Sequence, residues 1–506
     1  MKICWFLQRS FVRIGHAINI NLKEKHGIDN FCAFTQTSFS KNFLNSQNEI
    51  DYKAILPEED MHDKYKTEEI DIDFLKQFEK EYGLPNLWPY IAVDRTMMYS
   101  IMPKEYPSDK PMYTHEEMLK ILQVKAKAII SFLEKEKPDV VCFSVIGSLY
   151  SMLAFHIAKK MGIKTIEVYP PCLIKNLLSV SENYKSLTWV DETFKKIREG
   201  KHKSSKAEDA KKIIKEFREK PLPYHKSVYS KKTFLGKIKL LKFLSPVNLT
   251  NSILWFLHLC FKQRKDYNEE RPLRFLIDRT KRKIRSIIGY SDLYDKIDES
   301  EDFCFFPLQS EPEMSLYVWG FYWINQLETI RHVARALPAH FKIYVKEHPL
   351  MFGFRPRKYY KELKKIPNLK LIHPKTPGTT LIKKSKIVVT VTSTPAWEAA
   401  FLKKPAISLG DVFFNSLPQI KNCRCPEELP LVIKNELENF EHNESELVNF
   451  VSAILEESVN VDLIDLWYEE KDFEKLKNNK GIKEFADLLS KKINLLTQEK
   501  PITQTR

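Results

Sequence analysis

Three groups of polar residues draw attention because each follows a short apolar run. The first is Gln309, Glu311 and Glu313, in the loop LQSEPEMS that follows DFCFFP. Two carboxylates in one loop can supply a general base or a charge stabiliser. Loop solubility would account for them equally well, and Pro312 marks a shaped loop, not a helix. The second is Lys346-Glu347-His348-Pro349, closing FKIYVKEHP. An imidazole at a strand end can donate to a phosphate oxygen, with Lys346 or Glu347 assisting or orienting it. The plainer alternative is a histidine that caps a turn, its direction fixed by Pro349. The third is Thr392-Ser393-Thr394, followed by Pro395 and Glu398. Hydroxyls and free backbone N–H groups at a helix start form an anion site. Glu398, one turn on, can accept bonds from ribose hydroxyls. The alternative there is ordinary capping by Thr394 and a solvated Glu398. Asp94 is a more distant acidic candidate, and beside Arg95 it reads first as half of a local ion pair.

The chain carries no P-loop, G-x-G-x-x-G, H-E-x-x-H, G-x-S-x-G or EF-hand pattern. With 13 glycines in 506 residues, phosphate cradling by glycine-rich loops is not expected. Phosphate binding would fall to histidine, hydroxyls, lysine and helix N-termini. No metal site is predicted: DIDF (71–74) is the one Asp-x-Asp, and it lies away from the three polar groups.

The elements that must position these groups alternate along residues 301–414. Strands are predicted at 302–307, 341–345, 370–372 and 386–391. Helices are predicted at 323–337, at 379–384 and from Pro395. Strands and helices of these lengths predict a parallel sheet with right-handed crossovers, and ligands bind such sheets at the carboxyl ends of the strands. All three polar groups fall there.

The beginning of the chain repeats the pattern. Strands are predicted over KICWFL (2–7), FCAFT (31–35), DVVCFSV (139–145) and KTIEVYPP (164–171). The turn Gln8–Gly15 is polar, with a helix expected over His16–Lys25. A long helix over 114–137 opens on a capping box, Thr114 with Glu117, and another is expected over 149–161. Four regions follow: an N-terminal Rossmann-like domain (1–190, with an insertion at about 41–113), a basic helical linker (191–300), a C-terminal Rossmann-like domain (301–420), and C-terminal helices with a tail (421–506). The fold class is therefore α/β, with two Rossmann-like domains and a helical basic insertion between them. The helices expected over 443–458 and 473–496 have the pattern to pack back across the molecule, and 497–506 is expected to be disordered.

The net charge of +15 calls for an anionic partner. Lys231–Arg285 concentrates it, in KIKLLKFL, SILWFLHLCFKQRK and RPLRFLIDRTKRKIR. One reading is a helical linker whose lysines face water. The other is a surface against anionic lipid headgroups, with Trp255 and Phe256 as anchors among Lys237, Lys239, Lys242, Lys262, Arg264 and Lys265. No recognition motif for nucleic acid accompanies the charge. Eight cysteines without framework spacing suit a reducing compartment. No apolar run is long enough for a membrane span, and the N-terminus turns polar too early for a signal peptide. The expected location is cytoplasmic, with a peripheral place on the inner face of the cell membrane.

PLQSEPE, NQLETIRHVARALP, YVKEHP and VTVTSTPAWEAAFLKKPAISLG resemble bacterial capsule polysaccharide biosynthesis proteins, which are similar in turn to the Kdo transferases of capsule lipid linkers. The resemblance covers about 302–415. It implies a GT-B fold, with the two domains facing a cleft and the donor held by the C-terminal one. It implies that His348 and Pro349 form the family's "HP" motif, which meets the donor phosphate. Gln309 matches its "QP"-type loop only loosely, since the chain reads Gln-Ser-Glu-Pro-Glu. Ser393 stands where relatives often have glycine. The implied activity is metal-independent glycosyl transfer without a cofactor, from a CMP- or UDP-linked sugar to a glycan or glycolipid. Lys346, His348, Pro349, Thr392, Ser393, Thr394, Glu398 and Gln309 would then bind donor, with Glu311, Glu313 and His348 as catalytic candidates. Two other functions fit the same cleft: polyol-phosphate transfer for wall polymers, and a non-catalytic role in capsule assembly or export.

Overall fold

The computed structural model describes residues 1–99, 111–221 and 272–498, apart from 172, 175, 469 and 471, together with seven positions of 250–260. Apolar runs buried on both faces build two sheets. The first contains β1 (Lys2–Leu7), β2 (Asn30–Thr35), β3 (Tyr52–Pro57), β4 (Val140–Phe143), β5 (Lys164–Tyr169), β6 (Leu177–Ser181) and β13 (Ser458–Asn460). Its order is β13-β6-β5-β4-β1-β2-β3, with β6 antiparallel to both of its neighbours. The second contains β7 (Phe303–Pro307), β8 (Lys342–Lys346), β9 (Leu369–Ile372), β10 (Ile387–Thr390), β11 (Ala406–Ser408) and β12 (Ile420–Asn422). Its order is β12-β11-β10-β7-β8-β9, with every pair parallel.

The helices that matter here are α1 (Phe11–His26), α2 (His115–Glu136), α3 (Leu149–Lys160), α4 (Thr188–Arg198), α5 (Ala207–Glu219), α6 (Pro272–Ile288), α7 (Gln326–Ala336), α8 (Pro395–Phe401), α9 (Glu444–Glu456) and α10 (Lys480–Gln498). The capping box predicted for α2 is present. α1 begins five residues earlier than expected, because Phe11, Val12 and Ile14 sit at helical spacing and are buried. β3 extends the first sheet from within the stretch read as an insertion, and Ala33 and Phe34 pair with Ile55 and Leu56. Its apolar run is short, and Ala54, Ile55 and Leu56 are only half-buried, so it carries a weak strand signal.

The region read as a charged linker is structured at its start. α4 and α5 bury Phe194, Ile214 and Phe217 in the same core as Trp397, Phe401 and Phe450. Phe194 meets Phe450 of α9 edge-on at 5.1 Å. Full burial of such a side chain stabilises by about 1.5–3 kcal/mol. The C-terminal residues serve both halves: α9 packs on α4 and α5, β13 extends the first sheet, and α10 packs Ile482, Phe485 and Leu489 with Phe11 and Ile14 of α1. Of the expected lipid-facing residues, Phe256 is described and half-buried; Trp255, Lys237, Lys239, Lys242, Lys262, Arg264 and Lys265 lie outside the described residues, as does 499–506.

The carboxyl edges of the two sheets face each other. Gly147, beyond β4, approaches Met314, beyond β7, so closely that a Cβ on Gly147 would lie 2.4 Å from the methionine Cγ. Tyr169, at the end of β5, stacks on Trp319 at 5.7 Å and meets Phe413 at 5.8 Å. Trp319 Nε1 donates to the Tyr184 carbonyl at 2.6 Å, and Lys185 pairs with Asp411 at 3.0 Å. The protein is thus a pair of Rossmann-like α/β domains closed on a shared cleft. Among the described residues, no helix is long and apolar enough to cross a membrane.

Candidate functional site

β7, β8 and β10 deliver the predicted residues to one edge of the second sheet, and their loops are tied together. Gln309, beyond β7, donates through Nε2 to Thr392 Oγ1 at 2.7 Å and accepts from the Thr392 N–H at 3.0 Å. This clasp joins the β7 loop to the β10 loop. Arg355 joins the β7 loop to the β8 loop. Its guanidinium pairs with Glu311 at 2.8 Å, donates to the Gln309 carbonyl at 2.7 Å, and pairs with Glu347. Gln326, at the start of α7, donates to Glu311 and accepts from the Gln309 N–H at 2.7 Å. Glu347 also accepts from the Tyr360 hydroxyl at 2.7 Å and from the His348 N–H. A buried ion triad of this kind persists only when its remaining donors and acceptors are satisfied, and here they largely are.

That network reassigns several predicted residues. Glu311 was a catalytic candidate, but its side chain is fully enclosed with Arg355 and cannot touch a substrate. Burial raises its carboxyl to about 7, against the pull of Arg355. Gln309 and Thr392 were donor-binding candidates, but both are buried and engaged with each other. Pro349 is buried as well. Thr394 does not cap α8: its backbone is already helical and its hydroxyl reaches Glu398 Oε1 at 3.4 Å instead. The N–H groups of Ala396 and Glu398 donate to the carbonyls of Ser393 and Thr394. The anion site expected from that helix start is therefore largely occupied by the chain itself.

Other side chains remain at the cleft. His348 and Glu398 are half-buried, and Ser393 and Thr394 are likewise partly accessible. The Leu350 N–H donates to His348 Nδ1 at 3.3 Å, so the ring hydrogen sits on Nε2, directed away from the turn. The turn-capping reading of His348 is thus observed at Nδ1, and Nε2 keeps its hydrogen. Burial lowers its pKa to about 4, so the ring is neutral near pH 7. Burial raises Glu398 to about 7, opposed by Thr394 and then Lys346. Burial lowers Lys346 to about 8, with Glu347 and then Glu398 pulling it back up. Lys346 thus acts electrostatically on both His348 and Glu398, which come from strands on either side of β7.

Glu313 differs from Glu311. It is exposed yet crowded by protein, as a carboxylate inside a cleft is. That crowding raises its pKa, while Ser315 and then Arg95 draw it down. Arg95 belongs to the first domain. Its neighbour Asp94 is buried, accepting from the N–H groups of Thr96 and Met97 at 3.1 Å and of Leu149 at 3.3 Å. Asp94 therefore anchors the short helix that carries Arg95 and the start of α3. Arg95 thus acts electrostatically on Glu313 from the first domain.

Two residues escaped the sequence reading. Arg355 lies in an irregular loop with no periodic signal. Glu167 stands within β5, and a carboxylate in a strand buried on both faces was a signal available in KTIEVY. Its Oε1 accepts from the Ile146 N–H at 3.0 Å, and its buried Oε2 has no hydrogen-bond partner. Burial raises this carboxyl to about 8. Among the described residues, no group of three or more His, Cys, Asp or Glu side chains is arranged to hold a metal ion.

Residues 203–417 match the family model of capsule polysaccharide biosynthesis proteins, a span that contains the 302–415 segment on which the resemblance was drawn and extends about a hundred residues further toward the N-terminus. Among solved structures, the chain is similar to a KpsC beta Kdo 2,7 transferase of Thermosulfurimonas dismutans, at 14% identity and TM-score 0.36 over 78% of this chain and 95% of that one. A second KpsC structure of that organism, a beta Kdo 2,4 transferase, matches at 13% identity and TM-score 0.33 over 62% and 79%. The UDP-GlcNAc 2-epimerase of Methanocaldococcus jannaschii matches at 14% identity and TM-score 0.26 over 90% and 98%. No curated protein matches the chain.

Proposed function

We propose, for a chain whose residues 203–417 match the capsule polysaccharide biosynthesis family, that the cleft transfers a glycosyl group from a nucleotide sugar to a glycan or glycolipid acceptor. The observation that carries this reading is the convergence of His348, Lys346 and Glu398 at the carboxyl edge of one parallel sheet. A neutral imidazole donates Nε2–H to a donor phosphate oxygen. Lys346 adds positive charge beneath it, and Ser393 and Thr394 contribute hydroxyls. Glu398 accepts from the ribose. Such preorganised donors stabilise charge where it develops on a leaving phosphate.

Glu313 is the cleft carboxylate in this scheme. It takes the proton from an acceptor hydroxyl as that oxygen bonds to the anomeric carbon. The bond from that carbon to the phosphate oxygen breaks, and its electron pair leaves with the nucleotide. Crowding raises the Glu313 carboxyl, which suits it to accept a proton, and Ser315 and then Arg95 draw it back toward the ionised form. Transfer without added metal is part of the proposal, as is a peripheral place at the cell membrane.

The test is a panel of nucleotides and nucleotide sugars, with CDP-glycerol among them, read first by thermal shift. A ligand that binds only the native state raises its apparent stability. The expected result is stabilisation by a CMP- or UDP-linked sugar, lost in His348→Ala, followed by glycosyl transfer that persists in EDTA. Stabilisation by CDP-glycerol alone would move the assignment to polyol-phosphate transfer. The absence of any nucleotide effect would leave the non-catalytic role.

A further inference from the structure

We infer that α6 (Pro272–Ile288) is an interfacial helix that lays the cleft against an anionic lipid bilayer. Leu273, Leu276, Ile277, Ile284, Ile287 and Ile288 are all exposed, Leu273 by 65%, Ile287 by 62% and Ile288 by 63%. At 100° per residue they fall on one stripe about 120° wide. An ordinary surface helix turns such a stripe to the core; this one turns it outward.

The charge pattern selects the occupant. The helix carries six basic residues against one aspartate. Arg274, Lys281 and Arg285 flank the stripe on one side, and Arg279 and Lys283 flank it on the other. An apolar stripe edged with Lys and Arg, on a chain of net charge +15, is the pattern of a helix lying in the plane of an anionic bilayer surface. A protein partner would not require basic residues along both margins.

The opposite face is fixed to the functional domain. Arg282 pairs with Asp278 at 2.5 Å and stacks over the Phe354 ring at 4.6 Å. Arg285 donates to the Phe354 carbonyl at 2.7 Å, and Arg357 to the Gly289 carbonyl at 2.7 Å. Gly353 leaves room for the contact: its φ is +82°, and a Cβ there would lie 2.8 Å from Ser286 Oγ. The loop that receives the helix is the one following His348-Pro349, and it carries Arg355. Membrane contact through α6 therefore holds the His348 edge of the cleft near the lipid surface, where a lipid-anchored acceptor would be presented. That last clause rests on the transfer reading; lipid binding by α6 does not.

The test is flotation of the full chain with vesicles of equal parts phosphatidylglycerol and phosphatidylcholine, and with phosphatidylcholine alone. Binding is expected to the anionic vesicles and to weaken with salt. The double variant Ile284→Glu/Ile287→Glu removes only exposed side chains and should lower partitioning at least about tenfold. Lys283→Glu should lower it about fivefold or more. Both should keep the wild-type unfolding midpoint and the nucleotide-induced thermal shift, so a failure of lipid binding is separable from a failure of the donor site. Equal binding by the variants and the wild type, or no binding by the wild type, overturns the inference. So does a change from dimer to monomer in Ile287→Glu, since α6 would then be covered by a second copy of the chain.

Discussion

Gln309 and Thr392 hold each other by two hydrogen bonds, side chain to side chain at 2.7 Å and side chain to backbone N–H at 3.0 Å. One amide thereby fixes the β10 loop to the β7 loop, and Arg355 extends the brace to the β8 loop. The cleft side chains of His348, Ser393, Thr394 and Glu398 stand on this platform, and the His348 backbone N–H is tied into it through Glu347. Thr392→Val removes the hydroxyl that Gln309 Nε2 donates to and leaves that donor buried. The expected loss is about 1–3 kcal/mol of stability, measurable as a lower denaturant midpoint at unchanged slope. Transfer should weaken along with it, because the position of Ser393 and Thr394 depends on the same loop.

His348 Nδ1 accepts from the Leu350 N–H, which leaves the ring hydrogen on Nε2 for the proposed donor contact. His348→Ala should lower kcat by about 100-fold or more, the usual loss when one donor to a developing oxyanion is removed. Its half-buried place predicts a small change in unfolding temperature. His348→Asn keeps an acceptor for the Leu350 N–H and a donor of shorter reach, so partial recovery of kcat is the expected outcome. Steady-state kinetics with the donor identified by thermal shift would check both variants.

That the candidate residues gather at one sheet edge was legible in the sequence, and which of them are buried in the brace was not. Strand–helix alternation placed 302–307, 341–345 and 386–391 correctly because buried parallel strands are nearly continuous apolar runs. The same logic brought Gln309, His348 and Thr392 to one edge. It could not separate Glu311 from Glu313, two residues apart in a loop without periodicity. One turns inward to Arg355, whose own position in the chain carries no signal, and the other turns to the cleft. α4 and α5 read as part of a basic helical linker because their charged faces dominate the composition, although Val190 and Phe194 in one helix and Ala210, Ile214 and Phe217 in the other repeat at helical spacing. β3 was lost for the reason that edge strands often are: a half-buried strand shows a weaker apolar run than a central one.

Lys346 sets an alkaline limit. Burial lowers its pKa to about 8, so it is charged near neutrality and loses that charge as the pH passes through that value. Affinity for an anionic donor should fall above pH 8, as a rise in KM with little change in kcat if the lysine binds donor and transition state alike. Lys346→Met should show weak binding at all pH values, with that limb absent. A limb that survives the substitution would assign the alkaline loss to another group.

Glu167 predicts a pH dependence of stability. Its carboxyl has an ordinary value of 4.5 and rises to about 8 by burial in the folded chain. The folded form binds the proton more tightly, so its contribution is fully present below about pH 4.5. It is lost as the pH rises through 8, by an amount on the order of a few kcal/mol. Glu167→Gln keeps the acceptor for the Ile146 N–H and cannot ionise. Glu311 and Glu398 titrate in the same window, so the informative quantity is the difference between variant and wild type. That difference should favour the variant increasingly from pH 5 to pH 8 in thermal melts. A constant difference would mean that the buried oxygen is solvated in solution.

Gly147 and Met314 form one of the contacts that close the cleft. A Cβ on Gly147 would meet Met314 Cγ at 2.4 Å and Cβ at 3.0 Å, which forces the methionine or its loop to move. Gly147→Val therefore pushes on the loop that carries Glu313, from the domain that carries Arg95. The two cores away from this seam are untouched, so global stability should change by less than transfer does. KM for the acceptor should rise and kcat should fall together, since separating Arg95 from Glu313 loosens the proposed base. Met314→Ala empties the space the new side chain needs. In the double variant Gly147→Val/Met314→Ala, activity should recover toward that of Met314→Ala alone, giving a coupling term of opposite sign to the single losses. Additive losses in that cycle would show that the damage from Gly147→Val lies within the first domain and that the seam itself is not what positions Glu313.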